Sequence, residues 1–567
     1  MKVLIVGGVA GGASAAARLR RLDEEAQIVV FERGEYISYA NCGLPYYIGG
    51  EITDKKSLTL QTPQSFKERF NIDVRTGCEV VSIDRAKRTV TVRVAATGES
   101  YTEAYDKLLL SPGAEPLRPP IPGIEHERIF TLRTVPDTYR IRAFVEEARP
   151  RTAVVVGGGY IGVEMAENLT RAGLSVTVVE LADHVIGPLD YDMASFVERY
   201  LASKGVRLLL QNGVKAFPPA PDGGVTVSLE RGVLNADLVL LSIGVRPDGR
   251  LAKEAGLTVN PRGAIVVDPH MRTSDPDIYA VGDAVEITDF VTGAPGYIPL
   301  AGPANKQGRI AADNLAGIPS VYRGTQGSSV LKLFDMAVAT TGLNERAAKA
   351  AGLDCDKVHI HGTSHAAYYP GARNLEMKVV FERGTGKILG AQLVGFDGVD
   401  KRCDVLATAI RAGMTAADLA ELELCYAPPF SSAKDPVNIA GFVIENLLAG
   451  RVRQFHWDEV AALPRDGSVT LVDTRSPEEY AQGRIDGFKN VPIDGLRDHL
   501  DEFPRGKPVY LTCGTALRSY LACRILMQHG YECHNLSGGW TVYESVMGKV
   551  GYDFSPAHPC GVKIKTE

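Results

Sequence analysis

Two stretches of this 567-residue chain break an apolar strand on a run of glycines and then enter a helix, and together they constrain the fold more than any other feature. One of them, TAVVVGGGYIGVEMAENLTRAGLSVTVVE (152–180), carries the full GxGxxG spacing at Gly157, Gly159 and Gly162. The three glycines serve, in order, a tight turn, close approach of the backbone to a pyrophosphate at a helix N-terminus, and close helix–strand packing. Glu180 ends the following strand, where a carboxylate can accept hydrogen bonds from ribose hydroxyls. The other stretch, KVLIVGGVAGGASAAARLRRLDEEAQIVVFE (2–32), repeats the order with Gly7 and Gly12 in frame, Val9 at the middle position, and Glu32 followed by Arg33 at the end. Both read as βαβ units, so the chain is expected to be α/β with two Rossmann-like dinucleotide-binding domains.

At this length, with 45% hydrophobic and 23% charged residues, the chain should divide into three or four domains around separate cores. A formal net charge of −6 gives no whole-chain reason to expect nucleic acid, so an anionic ligand must be caught by a local basic patch. MKVLIVGG runs from one lysine straight into the glycine turn and reads as a strand, not a leader; no apolar stretch reaches membrane-spanning length. Nine scattered cysteines suit a reducing, cytoplasmic compartment in which a special thiol is catalytic. Cys513, Cys523 and Cys533 are ten apart, which fits neither a zinc site nor CxxC chemistry, so no metal is expected.

Glu180 would repel a ribose 2′-phosphate and no arginine follows it at once, which predicts NADH in preference to NADPH. TSDPDIYAVGDAVE (273–286) resembles the segment by which two-dinucleotide flavoprotein disulfide reductases place an Asp on the flavin ribityl chain, and makes Asp283 the candidate. LLLSPGAEPLRPPIPG (108–123) and LVLLSIGVRPD (238–248) resemble the segments that bracket the NAD domain in the same superfamily. The resemblance implies an FAD-binding domain over 1–150 and 271–323, with Gly7, Gly12, Glu32, Arg33 and Asp283 at the cofactor. It implies an NAD(H)-binding insert over 151–270, with Gly157, Gly159, Gly162 and Glu180, and an α+β dimerisation domain over 324–450.

Cys42 lies ten residues past Glu32, where the chain of such a fold runs beside the flavin ring. Reductases with an internal disulfide need CxxxxC here, but position 47 is Tyr47, so Cys42 must form its redox bond with something that comes and goes. SYANCGLPYYIGG (38–50), SHAAYYPGA (364–372) and CYAPPFSSAKD (425–435) together resemble the coenzyme A-disulfide reductase family of single-cysteine flavoproteins. That resemblance implies a homodimer with active sites completed across subunits, in which Cys42 alternates between thiol and mixed disulfide with coenzyme A. Tyr368 and Tyr426 would donate hydroxyl hydrogen bonds to the reacting sulfurs from the other subunit. On the first helix Ser14, Arg18 and Arg21 share a face, and arginines suit phosphate forks, although a solvated helix face would also account for them. The resemblance assigns Ser14, Arg18 and Arg21, with Ser38, Asn41, Asn305 and Lys434, to coenzyme A.

After LAGRVRQFHWDEV the pattern resets, and residues 455–548 resemble a rhodanese domain through DTRSPEEY, VYLTCGTALRS and LSGGW. Cys513 ends an apolar strand and precedes a loop that opens a helix, an arrangement expected to aim backbone N–H groups at the sulfur and stabilise a persulfide anion, with Arg518 adding positive charge. Asp473 and Arg475 read as supports of that site. A sulfane-sulfur carrier joined to a single-thiol reductase suggests an FAD-dependent, NADH-using reductase of persulfide, polysulfide or coenzyme A persulfide. The alternatives are reduction of coenzyme A disulfide itself, NADH oxidation or peroxide reduction through a Cys42 sulfenic acid, and a sulfur-carrier or redox-sensing protein. Cys425, beside Tyr426, is either a resolving thiol or a packing residue. The tail 549–567 carries Cys560 either as a thiol arm or as part of a simple terminus.

Overall fold

The computed structural model describes residues 1–220, 223–548 and 551–564, and the chain divides into two compact units. One comprises Met1–Ala182 with Val206–Gly327, the other Asp183–Gly205 with Ser328 onward.

The first unit holds two five-stranded parallel sheets. In one, Lys2–Val6 lies at the centre, with Gln27–Glu32 and Asp73–Thr76 on one side and Lys107–Leu110 and Ile278–Ala280 on the other. The other sheet centres on Thr152–Val156, between Ser175–Val179 and Leu238–Leu241, with Arg207–Leu209 and Ile129–Phe130 at the edges. The chain thus leaves the first sheet, builds the second and returns to the first with Ile278–Ala280. The central strands are apolar on both sides because both faces of the first sheet are buried: helices Ala10–Leu22 and Ala301–Leu315 pack on one face and the three-stranded antiparallel sheet Cys78–Asp84, Thr89–Val94, Ser100–Ala104 on the other; Val3, Leu4, Ile5, Leu108 and Leu109 are fully buried. The helices Ala10–Leu22 and Ala301–Leu315 pack against each other.

In the second unit an antiparallel sheet runs in the order Ser329–Leu333, Met336–Gly342, Ile388–Gly395, Asn374–Glu382, Cys355–Thr363, covered by helices Val399–Ala412 and Pro436–Leu448. Helix Tyr191–Ser203, inside the segment expected to belong wholly to the NAD(H) domain, makes its tertiary contacts in this unit. A buried ion cluster explains why: Lys378 Nζ lies 2.9 Å from both Asp192 oxygens, 3.1 Å from Asp190 and 3.2 Å from Glu345, and His359 Nε2 is 3.0 Å from Asp192. Burial opposes the Lys378 charge, but the three carboxylates outweigh it and hold the ammonium well above its ordinary range.

Still in the second unit, a five-stranded parallel sheet runs Arg453–Phe455, Cys533–Leu536, Val509–Thr512, Thr470–Asp473, Lys489–Asn490. Among the described residues no helix is long and apolar enough to cross a membrane.

Candidate active site

The first sheet ends on a turn that only a minimal backbone can make. Gly7 has φ +97°, and a Cβ there would sit 2.1 Å from the Ser111 carbonyl oxygen. Helix Ala10–Leu22 starts immediately beyond, with no side-chain cap on its N-terminus, leaving N–H groups free for a phosphate. A cavity of about 330 Å³ runs from this turn past Glu32, Arg33, Asn41 and Arg133 to Asp283. Asp283 faces Arg133 at 3.6 Å, and its carboxyl is pushed up by burial, against the pull of Arg133. The buried Asn41 Oδ1 has no hydrogen-bond partner among the described residues. An uncapped helix start, a glycine cradle and an orphaned amide oxygen fit a bound dinucleotide.

The second sheet repeats the device. Gly157 has φ +104°, with a virtual Cβ 2.4 Å from the Ser242 carbonyl, whereas a Cβ on Gly159 would meet nothing within 4 Å. Glu180 accepts from Gly158 N at 2.6 Å and Ala182 N at 2.8 Å; Glu32 accepts from Gly8 N and Gly34 N, both at 2.9 Å. In both turns the strand-end carboxylate braces the glycine loop. Arg33, expected at the cofactor, lies 3.2 Å from Glu115 and 3.3 Å from Asp248 at the cavity wall.

Cys42 is an exposed thiol in a single 3₁₀ turn, Asn41–Gly43, ahead of the short helix Leu44–Ile48, where Pro45 occupies the first turn. Burial of its surroundings pushes the thiol up, and the carboxylates of Glu164 and Asp283 push it further. The expected thiolate therefore receives no support from these protein groups. Glu164 was not singled out by sequence reasoning, although it stands two residues past Gly162. Its Oε1 accepts from Tyr46 Oη at 3.2 Å, and its carboxyl is pushed up to about 7, chiefly by burial with Glu167 adding to it.

The coenzyme A candidates fall into separate groups. Ser14 Oγ hydrogen-bonds Asn305 Oδ1, bringing the two packed helices' candidates together. Arg18 Nε pairs with Asp313 at 2.8 Å, a partner unsuspected from the sequence that offsets much of its charge; Arg21 is exposed. The buried arginine of this helix is Arg20, which donates to five backbone carbonyls, those of Asp23, Glu24, Ala26, Phe70 and Asn71. Ser38 adopts a left-handed φ of +44°, its N–H donating to Gly8 O. Lys434 is exposed in the second unit. Also in that unit, Tyr368 and Tyr426 meet hydroxyl to hydroxyl at 2.8 Å. Tyr368 is 72% and Tyr426 48% exposed, beside the exposed Cys425 and Phe430.

Cys513 is fully buried at the end of strand Val509–Thr512. Its sulfur accepts from Ser519 Oγ at 3.3 Å, a hydroxyl donor on the helix that follows the loop. Ala516 at φ +80° turns the loop into helix Leu517–Gln528. The SGGW segment closes over it: Trp540 N donates to Cys513 O at 2.8 Å and Thr541 N to Gly514 O at 2.9 Å. Arg475 is buried against Asp473 at 2.6 Å and stacks over Trp540 at 4.7 Å. Arg518 does not offer a free positive charge, because Glu479 grips both its terminal nitrogens at 2.7 Å.

Residues 1–308 match the pyridine nucleotide-disulphide oxidoreductase family, residues 328–436 the dimerisation domain of the same family, and residues 456–545 the rhodanese-like domain. The chain is 36% identical over 443 residues to the coenzyme A disulfide reductase of Staphylococcus epidermidis, covering 78% of this chain and 99% of that one. It is 35% identical over 441 residues to an NADH oxidase of Methanocaldococcus jannaschii, covering 78% and 98%. Among solved structures, the reduced CoADR-RHD of Bacillus anthracis superposes with a TM-score of 0.94 at 51% identity, over 96% of this chain and 98% of that one. A NAD-dependent persulfide reductase from A. fulgidus superposes with a TM-score of 0.90 at 40% identity, over 96% and 100%. With the oxidoreductase, dimerisation and rhodanese-like domains matched in order, the chain belongs to the pyridine nucleotide-disulphide oxidoreductase family and carries a C-terminal rhodanese-like domain.

Proposed function

We propose that this enzyme uses NADH to reduce persulfide sulfur carried by coenzyme A or a related small thiol, with Cys42 as the reacting thiol and Cys513 as a carrier of sulfane sulfur. The observation that carries this reading is one chain holding both an exposed thiol without a CxxxxC partner and a buried thiol in a rhodanese-type loop. The likeness to the A. fulgidus persulfide reductase over nearly the whole chain supports it.

The Gly7–Gly12 turn, Glu32, Arg33 and Asp283 would hold FAD, and the Gly157–Gly162 turn and Glu180 would hold NADH. FAD held there would supply hydride acceptance from NADH and two-electron reduction of sulfur. Cys42 thiolate attacks the coenzyme A-side sulfur of the persulfide; the S–SH bond breaks, HS⁻ leaves, and Cys42 is joined to coenzyme A by a disulfide. Two electrons and a proton then return Cys42 thiolate and coenzyme A thiol. Overall, persulfide, NADH and a proton yield thiol, hydrogen sulfide and NAD⁺. Glu164, near neutrality in its ionisation and hydrogen-bonded to Tyr46, is suited to hold a proton near this sulfur. Ser14, Arg18, Arg21, Ser38, Asn41, Asn305 and Lys434 are the proposed coenzyme A contacts, in a homodimer where Tyr368 of the partner subunit and Tyr426 of the partner subunit complete the site. The Staphylococcus epidermidis reductase is matched over 99% of its length by 78% of this chain, which keeps coenzyme A disulfide as a second substrate reading.

The test compares NADH oxidation with coenzyme A persulfide, coenzyme A disulfide, polysulfide, peroxide and oxygen, in wild-type, Cys42→Ser and Cys513→Ser enzymes. Fastest turnover on persulfide, lost in Cys42→Ser, is expected. Preference for peroxide or oxygen would overturn the reading, and a Cys513→Ser enzyme equal to wild type on every substrate would remove the rhodanese-like domain from the cycle.

A further inference from the structure

Residues 551–564 form a folded extension within the second unit. Ile564 N donates to Pro556 O at 2.7 Å, His558 N to Val562 O at 2.8 Å and Gly561 N to His558 O at 2.7 Å, so the segment is a hairpin whose tip is His558-Pro559-Cys560-Gly561. Asn374 fastens its base, accepting from Ala557 N at 2.8 Å and donating to Ser555 O at 3.0 Å. The tip lies on the loop that follows Cys513. Thr515 Oγ1 donates to Pro559 O at 2.6 Å and Arg518 Nε to Cys560 O at 3.1 Å. A Cβ on Gly514 would stand 3.1 Å from Gly561 Cα, so the two backbones are in direct contact.

This packing separates two thiols by accessibility. Cys513 is fully buried, while Cys560 is partly exposed and lines a cavity of about 910 Å³ together with Gly514, Arg518, Arg475 and Lys563. The Arg518 guanidinium lies within electrostatic reach of both sulfurs: burial opposes its charge, and Glu479, Cys513 and Cys560 together hold it protonated. A second, independent feature of the cavity points to a ligand. His361, which lines it, is 8% exposed. Its Nδ1 is bound to Glu376 at 2.5 Å, and its Nε2 has no partner among the described residues. A buried imidazole nitrogen left unsatisfied calls for a polar ligand atom or an ordered water.

We propose that Cys560 is a second sulfur-carrying thiol, which passes sulfane sulfur between this cavity and the buried Cys513. The proposal rests on the reading of Cys513 as a sulfur carrier. Cys560 thiolate attacks the outer sulfur of a small persulfide, RS–SH; the RS–S bond breaks, RS⁻ leaves, and Cys560 becomes the persulfide. Cys513 thiolate then attacks the outer sulfur of that persulfide. A new S–S bond forms at Cys513, the old one breaks at Cys560, and Cys560 thiolate is regenerated. The terminal proton travels with the transferred sulfur, no net oxidation or reduction occurs, and the reverse sequence delivers sulfur outward.

The test uses the full-length flavoenzyme and glutathione persulfide, quenched with an alkylating agent and read by peptide mass spectrometry. Serine at 560 leaves the carbonyl contacts to Thr515 and Arg518 in place, so Cys560→Ser keeps the hairpin seated. In that variant Cys513 is expected to acquire sulfur at least about tenfold more slowly than in wild type, while in Cys513→Ser the Cys560 peptide still acquires it. Mild diamide oxidation of wild type is expected to link Cys513 to Cys560, since thiols that exchange sulfur must reach bonding distance. Loading of Cys513 in Cys560→Ser at or above the wild-type rate would overturn the relay and leave the hairpin a mere cover; so would the absence of the diamide link. A wild-type enzyme in which Cys513 never carries sulfur would instead sink the carrier reading beneath it.

Discussion

Gly159→Ala is the substitution whose effect is best worked out from the structure. Gly159 has φ −74° and ψ −174°, a conformation open to any residue, and an added Cβ meets nothing within 4 Å. The methyl group therefore costs the fold nothing, and by restricting the unfolded chain it should stabilise by about 0.4–1 kcal/mol. Its cost falls on the ligand. The middle glycine of the spacing is the one over which a pyrophosphate approaches the backbone, and a methyl carbon there displaces that group by on the order of 1 Å, a misplacement that costs about 10²-fold in rate. We expect KM for NADH to rise by about 10- to 100-fold, or about 1.4–2.7 kcal/mol, with unchanged FAD content and equal or slightly higher Tm. Stopped-flow flavin reduction against NADH concentration and thermal unfolding of the same preparation measure the two halves. Unaltered NADH dependence would refute placement of the pyrophosphate on this turn, and a lower Tm would refute the reading of the space as open.

Replacing Lys378 with Met removes a lysine that touches Asp190, Asp192 and Glu345 together, and leaves buried carboxylates uncompensated; a loss of about 3–5 kcal/mol is expected by urea unfolding. Burial opposes ionisation of Glu345, but Lys378, Lys349 and Lys357 hold its carboxyl down to about 2. Its contribution, on the order of 3 kcal/mol, is present above the ordinary glutamate range and is lost as pH falls toward 2; Lys378→Met should show a flatter acid limb in stability against pH. Glu180→Gln is expected to narrow the NADH over NADPH preference in kcat/KM, and unchanged selectivity would count against the ribose role. Tyr368→Phe and Tyr426→Phe should leave FAD binding intact and slow thiol release; wild-type turnover in both would remove them from the site. Glu479→Gln frees the Arg518 charge, so haloacetate labelling of Cys513 should quicken about two- to fivefold, while Arg518→Gln slows it; equal slowing in both would mean the pair only braces the loop.

The residues that the sequence makes legible are those that act locally. Gly7, Gly157 and the strand-end acids announce themselves because a positive φ beside a carbonyl and a carboxylate at a strand end are set within about thirty residues of chain. What stayed hidden was pairing across long separations. Asp313 stands 295 residues from Arg18 and takes up much of the charge that made that helix face look like a phosphate fork. Glu479 stands 39 residues before Arg518 and does the same beside the sulfur loop. A sequence records which charges exist but not which neutralise one another, so a cluster of arginines is weaker evidence of an anion site than a glycine spacing. The hairpin tip beside Cys513 is a further case: the sequence leaves Cys560 open between a thiol arm and a simple terminus, and the carbonyl contacts of Pro559 to Thr515 and of Cys560 to Arg518 are what place the tip on the sulfur loop.

The two glycine turns also separate what the acid does from what the ligand needs. Glu32 and Glu180 both spend carboxylate oxygens on backbone N–H groups of their own loops, at 2.6–2.9 Å, before any dinucleotide is considered. Each carboxylate has further lone pairs for a ribose, so the loop bonds and the ligand bonds are compatible, but removing the acid must then loosen the turn as well as the sugar contact. The middle position discriminates between the two turns in a way the acid does not. Val9 gives the first turn a side chain at the cavity wall, whereas Gly159 leaves the second bare. A tightly held cofactor can be gripped by side chains around a turn that is already lined, while a nicotinamide that must enter and leave each cycle depends on backbone approach to an open one. On that argument Val9→Gly should cost FAD retention less than about tenfold, whereas the single methyl of Gly159→Ala should be felt at once in NADH turnover.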